Sequence, residues 1–262
     1  MVKKIVLFDK LYGFSNEKTK KLLIKKYNKY LSELTKGFEN SLIAIKKIRN
    51  YDNRLEVMIK GPEEVFLFNL LKKEIGTIHD FSEIKENMIL KGNLTDVGKV
   101  GFGIFVDCGI LNPKTDVLLS LRTLREQLCN NKQKSLTQII KAYDLVDHFP
   151  VKIKIIDVKK KNNEIQGKLT QSTLQLFKKL VDENLEAIFV SGQTKGQLKK
   201  ALIKSGHLRD IVSIKRYGFL ENIVIFKQGT EAPGIIANIG KLLKKCKISA
   251  IRPEKIRKLI LE

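Results

Sequence analysis

The sequence predicts an α+β protein, a central five-stranded β-barrel flanked by two βαββαβ domains. Three observations predict it. Apolar runs of period two and period 3.6 follow one another in the same order at both ends of the chain. The middle holds five short period-two runs with one helical interruption. Residues 97–107, Val-Gly-Lys-Val-Gly-Phe-Gly-Ile-Phe-Val-Asp, form an aromatic strand broken by glycines. Hydrophobic residues are 43% of 262 positions, enough for packed cores instead of a disordered chain.

The first domain is expected over residues 1–84. Residues 5–11 read as a strand, and Gly13-Phe-Ser-Asn as a turn in which Ser15 or Asn16 caps the next helix. Leu23, Tyr27, Tyr30, Leu31 and Leu34 then recur at helical spacing, with Lys18, Lys21, Lys25 and Lys29 on a solvated side. Strands at 42–48 and 55–59 are joined by Asn50-Tyr-Asp-Asn53, a turn composition. Pro62 suits a first helical position, and Gly76 stops that helix. Residues 77–84 return as a last strand. This order is ferredoxin-like.

The second domain is expected over 85–170. Strands at 88–94, 101–107, 116–119, 151–158 and 164–169 supply the five that a small OB-like barrel needs. Residues 121–145 are a helical insertion. The third domain, 171–262, opens with a linker helix at 171–183 and repeats the ferredoxin-like order. Its strands are 187–190, 211–214, 223–226 and 248–251; Thr194-x-x-Gln197 is a capping box, and Thr230 with Pro233 opens its second helix. Arg252, Lys255, Arg257 and Lys258 form a basic, mobile C-terminal tail.

Net charge is +22, which favours an anionic partner: RNA, DNA or an anionic membrane surface. The excess is uneven. Residues 1–76 carry a net +8, residues 77–170 only +4, and residues 171–262 carry +10. No apolar run approaches the ~20 residues of a membrane span. Cys108, Cys129 and Cys246 are odd in number and lack a C-x-x-C spacing, so they point to buried thiols in a reducing cytoplasm, not to disulfides or zinc. Neither a cofactor nor a metal is implied: no Walker loop, dinucleotide fingerprint or Ser-His-Asp order occurs. His79, His148 and His207 lack catalytic partners in sequence, so no catalytic residue is assigned.

Phe102 and Phe105 are three apart, which puts them on opposite faces of a plain strand. A bulge at Gly103 would return both to one face, as a stacking platform for unpaired bases. Residues 88–169 resemble the S-one RNA-binding domain, an OB variant. The resemblance is carried by Phe102-Gly-Ile-Phe-Val106, Val151-Lys-Ile-Lys-Ile-Ile-Asp-Val158 and Glu164-Ile-Gln-Gly-Lys-Leu169. It implies that Phe102 and Phe105 stack on RNA bases. It departs from the family at Leu119, near the family's histidine, and at Lys168, where the family has arginine, a stronger stacking and bidentate group. The wider layout is similar to an uncharacterised archaeal family with an S-one-like centre, through residues 98–107 and Gly229-Thr-Glu-Ala-Pro-Gly234.

The expected function is therefore RNA binding without catalysis, with Lys99, Phe102, Phe105 and Lys168 on the barrel. Lys195, Lys199, Lys200, Lys204, Arg209, Lys215 and Arg216 add a phosphate-binding surface on the third domain; their blander reading is a solvated helix face. Structured RNA, ribosomal RNA among the candidates, is favoured because charge is spread along the chain. By fold-level analogy with translation factors and a polymerase stalk subunit, a protein partner in a ribonucleoprotein or polymerase complex is the second expectation. The alternative is a protein-interaction or ligand-sensing regulatory protein. It would use the barrel face and the Pro233-Gly234 loop, which resembles the ligand loop of amino-acid-binding ACT domains. The cations Lys241, Lys244, Lys245 and Lys247 suit a helix C-terminus.

Overall fold

The computed structural model describes Val2–Leu261, which divide into two compact units between Ile78 and His79.

In the first unit, strands β1 (Val2–Lys10), β2 (Leu42–Ile48) and β3 (Arg54–Lys60) form an antiparallel sheet in the order β1-β3-β2. Leu7 makes one antiparallel bridge to Thr77. Leu55, Val57 and Ile59 alternate along the central strand and are fully buried. They pack under α1 (Glu17–Leu34), which buries Tyr27 and Leu31, and α2 (Glu64–Glu74), which buries Leu67 and Leu71. Asn16 is the cap of α1: its side chain accepts from Thr19 N at 2.9 Å, while Thr19 returns a bond to Asn16. Helix α2 starts at Glu64, two residues later than Pro62 suggests, because Ser41 ties down Glu63 from across the chain. At the β2–β3 turn, Asp52 sits between Arg49 (3.2 Å) and Arg54 (3.6 Å), all three buried.

The second unit begins at His79. Residues 77–84 do not continue the first sheet as a strand. Only His79–Asp80 (β4) is extended there, and it pairs in parallel with Ile110 and Leu111 of the next module. Phe81 and Ile84 follow it into that module's core. Five strands then close a barrel: β5 (Ile89–Thr95), β6 (Gly103–Leu111), β7 (Thr115–Ser120), β8 (Pro150–Lys159) and β9 (Glu164–Leu169). The order around the barrel is β6-β5-β8-β9-β7, closed by β6–β7, and β7 runs parallel to β9. Side chains alternate along each strand, so Leu90, Leu94, Ile104, Val106, Val117, Leu119, Ile153 and Ile165 fill the interior.

Helices α3 (Leu121–Leu128) and α4 (Leu136–Tyr143) make up the insertion, each capped by a serine, Ser120 and Ser135. Helix α3 brings Leu124 and Leu128 to one end of the barrel, where they line a small apolar cavity with Leu94, Ile104, Leu169 and Phe177. Helix α5 (Gln171–Asp182) carries Phe177 beneath them.

The remaining sheet has β10 (Ala187–Ser191), β11 (Ile211–Arg216), β12 (Glu221–Phe226) and β13 (Lys247–Ile251), antiparallel in the order β11-β12-β10-β13. Its two faces have different partners. Ile188, Val190, Val224 and Phe226 pack on α6 (Lys195–Lys204) and α7 (Ala232–Gly240). Ala187, Phe189, Ile223 and Ile251 join the barrel's own core. Barrel and sheet therefore share one apolar interior.

The expected basic tail is instead a helix, α8 (Pro253–Leu261). Ile256 and Leu259 are buried in the shared core, while Arg252 and Arg257 are tied to Glu186 and to Asn184 and the Val181 carbonyl. The four cations dominate the sequence there; the apolar stripe at 256, 259 and 260 decides the structure.

Candidate nucleic-acid interface

The aromatic pair is assembled differently from the sequence expectation. No register shift falls at Gly103; the shift in β6 lies between Val106 and Ile110. Phe102 stands before the strand, in the bend at 101–102, and its carbonyl accepts from Leu121 N at 2.8 Å. Leaving the strand frees its ring from the strict alternation that would oppose it to Phe105. The two rings meet edge to face, 6.1 Å apart at 89°. Phe102 is 56% exposed. Phe105 is half-buried on the outer face, paired across strands with Thr95 and Leu118. The helical insertion therefore leaves the pair open to solvent. Leu119 faces the barrel interior and is part of the core.

The glycines around the rings do separate jobs. Gly98 has φ +81°, the left-handed region that a side chain disfavours. Gly103 lets β7 close in: a Cβ there would lie 2.4 Å from the Leu119 carbonyl oxygen. A Cβ at Gly101 meets nothing within 4 Å.

Lys99 lies in the loop between β5 and β6, exposed, paired with Asp96; that bond, with the charge of Asp96 behind it, raises the Lys99 ammonium pKa. Lys168 is exposed on β9 and stands opposite Lys154 of β8. Lys91 and Lys152 form a second cross-strand lysine pair on the same outer surface. Like charges set directly opposite one another oppose folding. Sequence reasoning missed Lys91, Lys152 and Lys154, although the Lys-Ile-Lys alternation at 152–154 is a signal for one outward row.

The third group is divided by the structure. Lys195 and Lys199 line one border of the exposed arc of α6, and Lys200 and Lys204 the other, by their spacing of four. Arg209 follows in the short 3-10 turn His207–Asp210. Lys215 and Arg216 end β11 at the sheet's edge; as neighbours on a strand they point to opposite faces and do not join one surface.

Two other features bear on the alternative readings. Glu186 accepts from Ala232 N at 2.6 Å, at the N-terminus of α7, and is held by Arg252 Nε at 2.9 Å. The helix start beside Pro233-Gly234 thus already holds a carboxylate from the chain itself. His207 Nδ1 meets Asp210 at 2.9 Å, and its Nε2 meets Asn238 Nδ2 at 2.9 Å, so both ring nitrogens are engaged.

Asp147, in the loop after α4, joins the barrel to the sheet. It accepts from Val97 N at 2.9 Å and from Lys247 Nζ at 2.6 Å. Burial pushes its carboxyl pKa up, but the bonds from Lys247 and Val97 and the nearby cations outweigh that and leave it below the ordinary 3.8. A depressed folded-state pKa stabilises the fold above the unfolded value and loses that effect as pH falls through the folded one. Asp147→Asn should therefore flatten the loss of stability below about pH 4. Denaturant melts of both proteins across that range check it; parallel pH curves would count against the assignment.

Residues 84–181 match the family described as DUF2110 central domain, and residues 185–251 match DUF2110 C-terminal domain. Among curated proteins none matches the chain. Solved structures similar to it include uncharacterized protein MJ1198 from Methanocaldococcus jannaschii, at 20% identity over 34% of this chain and 96% of that one, TM-score 0.24. GSP13 from Bacillus subtilis is 15% identical over 33% and 56%, TM-score 0.25. An a/eIF2alpha-aDim2p-rRNA complex from Pyrococcus horikoshii OT3 is 16% identical over 47% and 64%, TM-score 0.26. Likenesses at these scores assign no function. Among the described residues no helix is long and apolar enough to cross a membrane.

Proposed function

We propose that this chain, matched to the DUF2110 family over its central and C-terminal domains, binds RNA without catalysing a reaction. The observation that carries the reading is Phe102, an aromatic ring 56% exposed against Phe105 at the rim of a closed barrel, in a chain of net charge +22. An exposed ring is free to stack on a base, because every base offers a π-face. The strand order supports taking the barrel as an S-one-type OB module. In the sheet of β10 to β13 the first strand lies between the third and the fourth, and this supports taking that region as ferredoxin-like. In the first unit β1 has β3 on one side and a bridge to Thr77 on the other, which supports the same reading there. Structured RNA with an exposed unpaired stretch is the favoured partner. The amino-acid-sensing alternative is disfavoured by Glu186, which a ligand carboxylate would have to displace from α7.

Phe102→Ala should weaken single-stranded RNA binding by roughly 1–3 kcal/mol for the stacked base, with little change in salt slope, and Phe105→Ala should act in the same direction. Fluorescence anisotropy against a panel of oligonucleotides measures this. Unaltered affinity for every RNA that the wild type binds sinks the reading, and so does a wild type that binds none.

A further inference from the structure

The barrel that carries the aromatic pair sits in the least basic part of the chain, with a net charge of +4 over residues 77–170. Stacking alone is a poor capture device, because phosphate attraction supplies most sequence-independent affinity. Cations beside the rings but outside the barrel can add to the lysine pairs on its outer surface.

Lys244, Lys245 and Lys247 meet that need. They follow α7 after its last turn, and that turn itself contains no basic residue, so the helix dipole expected from the sequence does not explain them. Their turn is built, not loose. Gln193 Nε2 donates to the Lys244 carbonyl at 2.7 Å, and Lys245 adopts a left-handed φ of +56°. Gly192 makes room for the turn, since a Cβ there would lie 2.9 Å from the Lys245 carbonyl oxygen. All three lysines are exposed; Lys247 remains 56% exposed even while paired.

Asp147 connects this turn to the ring loop. One carboxylate oxygen takes Val97 N, five residues before Phe102; the other takes Lys247. The charge of Asp147 also reaches Lys99 in the same loop. Ile140 of α4 backs Gly98, with a Cβ there lying 3.8 Å from its Cδ1. The loop bearing the rings and the turn bearing the lysines are thus two banks pinned by a single side chain.

We infer that an unpaired RNA strand runs from the Phe102 and Phe105 rings across the Asp147 seam onto Lys244, Lys245 and Lys247. This rests on the RNA reading above and names its phosphate-binding side. The rings take bases; the turn takes the phosphates of the nucleotides beyond them. An acidic protein segment would satisfy the lysines but has no use for the adjoining rings.

The test uses the full chain with oligouridine of three and of twelve nucleotides. Lys244→Ala with Lys245→Ala leaves the Lys247–Asp147 bond intact, and adding Lys247→Ala completes the series. The triple variant should lose about tenfold or more on the twelve-mer, with a salt slope lower by about two, near 0.7 for each phosphate contact. Its affinity for the three-mer should stay within about twofold. The double variant should fall between. Equal loss at both lengths, or none on the twelve-mer, overturns the path. Displacement of the twelve-mer by polyglutamate at matched charge as readily as by unlabelled RNA also overturns it. Sensitivity to Phe102→Ala without sensitivity to the lysines sinks the path alone and leaves RNA binding standing. Indifference to both sinks the RNA reading itself.

Discussion

Phe149→Ala should destabilise the second unit by about 3–5 kcal/mol, a large share of the ~5–15 kcal/mol typical of a whole domain. Phe149 is completely buried just before β8. Its ring stacks on Phe177 of α5 at 5.8 Å and 16°, and meets Phe189 of β10 at 5.0 Å. Phe177 in turn takes the Tyr143 ring of α4 edge-on at 5.0 Å. One aromatic chain thus runs from insertion to linking helix to barrel to sheet. Truncation leaves a cavity where four elements meet, and none of them can collapse into it without dragging the others. Because the core is shared, barrel and sheet should lose protection together. Hydrogen exchange on β6 and β12 amides in rising denaturant measures this. Separate transitions for the two strands would show that the shared core does not couple them.

Gly103→Ala is the second large effect, about 2–3 kcal/mol, or roughly 5–10 °C in melting temperature for a unit of this size. The added methyl would sit 2.4 Å from the Leu119 carbonyl oxygen and 2.8 Å from the Leu118 side chain. The first is backbone in a neighbouring strand and cannot rotate away. β6 and β7 must part, at the strand end beside Phe102, so affinity for single-stranded RNA should fall with stability. Gly101→Ala is the matched control: its methyl meets open space, and stability should hold within about 0.5 kcal/mol. Thermal melts of the two variants decide it. If Gly101→Ala cost as much as Gly103→Ala, close strand approach would not be the reason for the glycine.

Local signals were legible. The alternation of Val151, Ile153 and Ile155 with Lys152 and Lys154 gives a strand with one wet face, and β8 has it. Thr194 and Gln197 form the expected capping box on α6. The five barrel strands fall where the period-two runs are, and they close. Legibility failed where a short element depends on a distant one. β4 is two residues long and exists only because β6 has a free side for it. α8 reads as a charged tail until the α4–α5 surface that takes Ile256 and Leu259 is known. The ring pair was anticipated, but not the means: a bend before the strand does the work assigned to a bulge. The seam had no signal at all, since Asp147 and Lys247 are 100 residues apart and each reads alone as surface charge.

Helix α8 also sets an order of events during synthesis. The barrel's last strand ends at Leu169, and α8 begins at Pro253. At ribosomal speeds of about 5–20 residues per second, the gap lasts roughly 4–17 seconds. Through that interval the emerging barrel carries α4 and α5 with their apolar flanks uncovered, because the side chains that complete them are not yet made. A stall between the end of α5 and residue 253 would leave a nearly finished barrel with those flanks open to water.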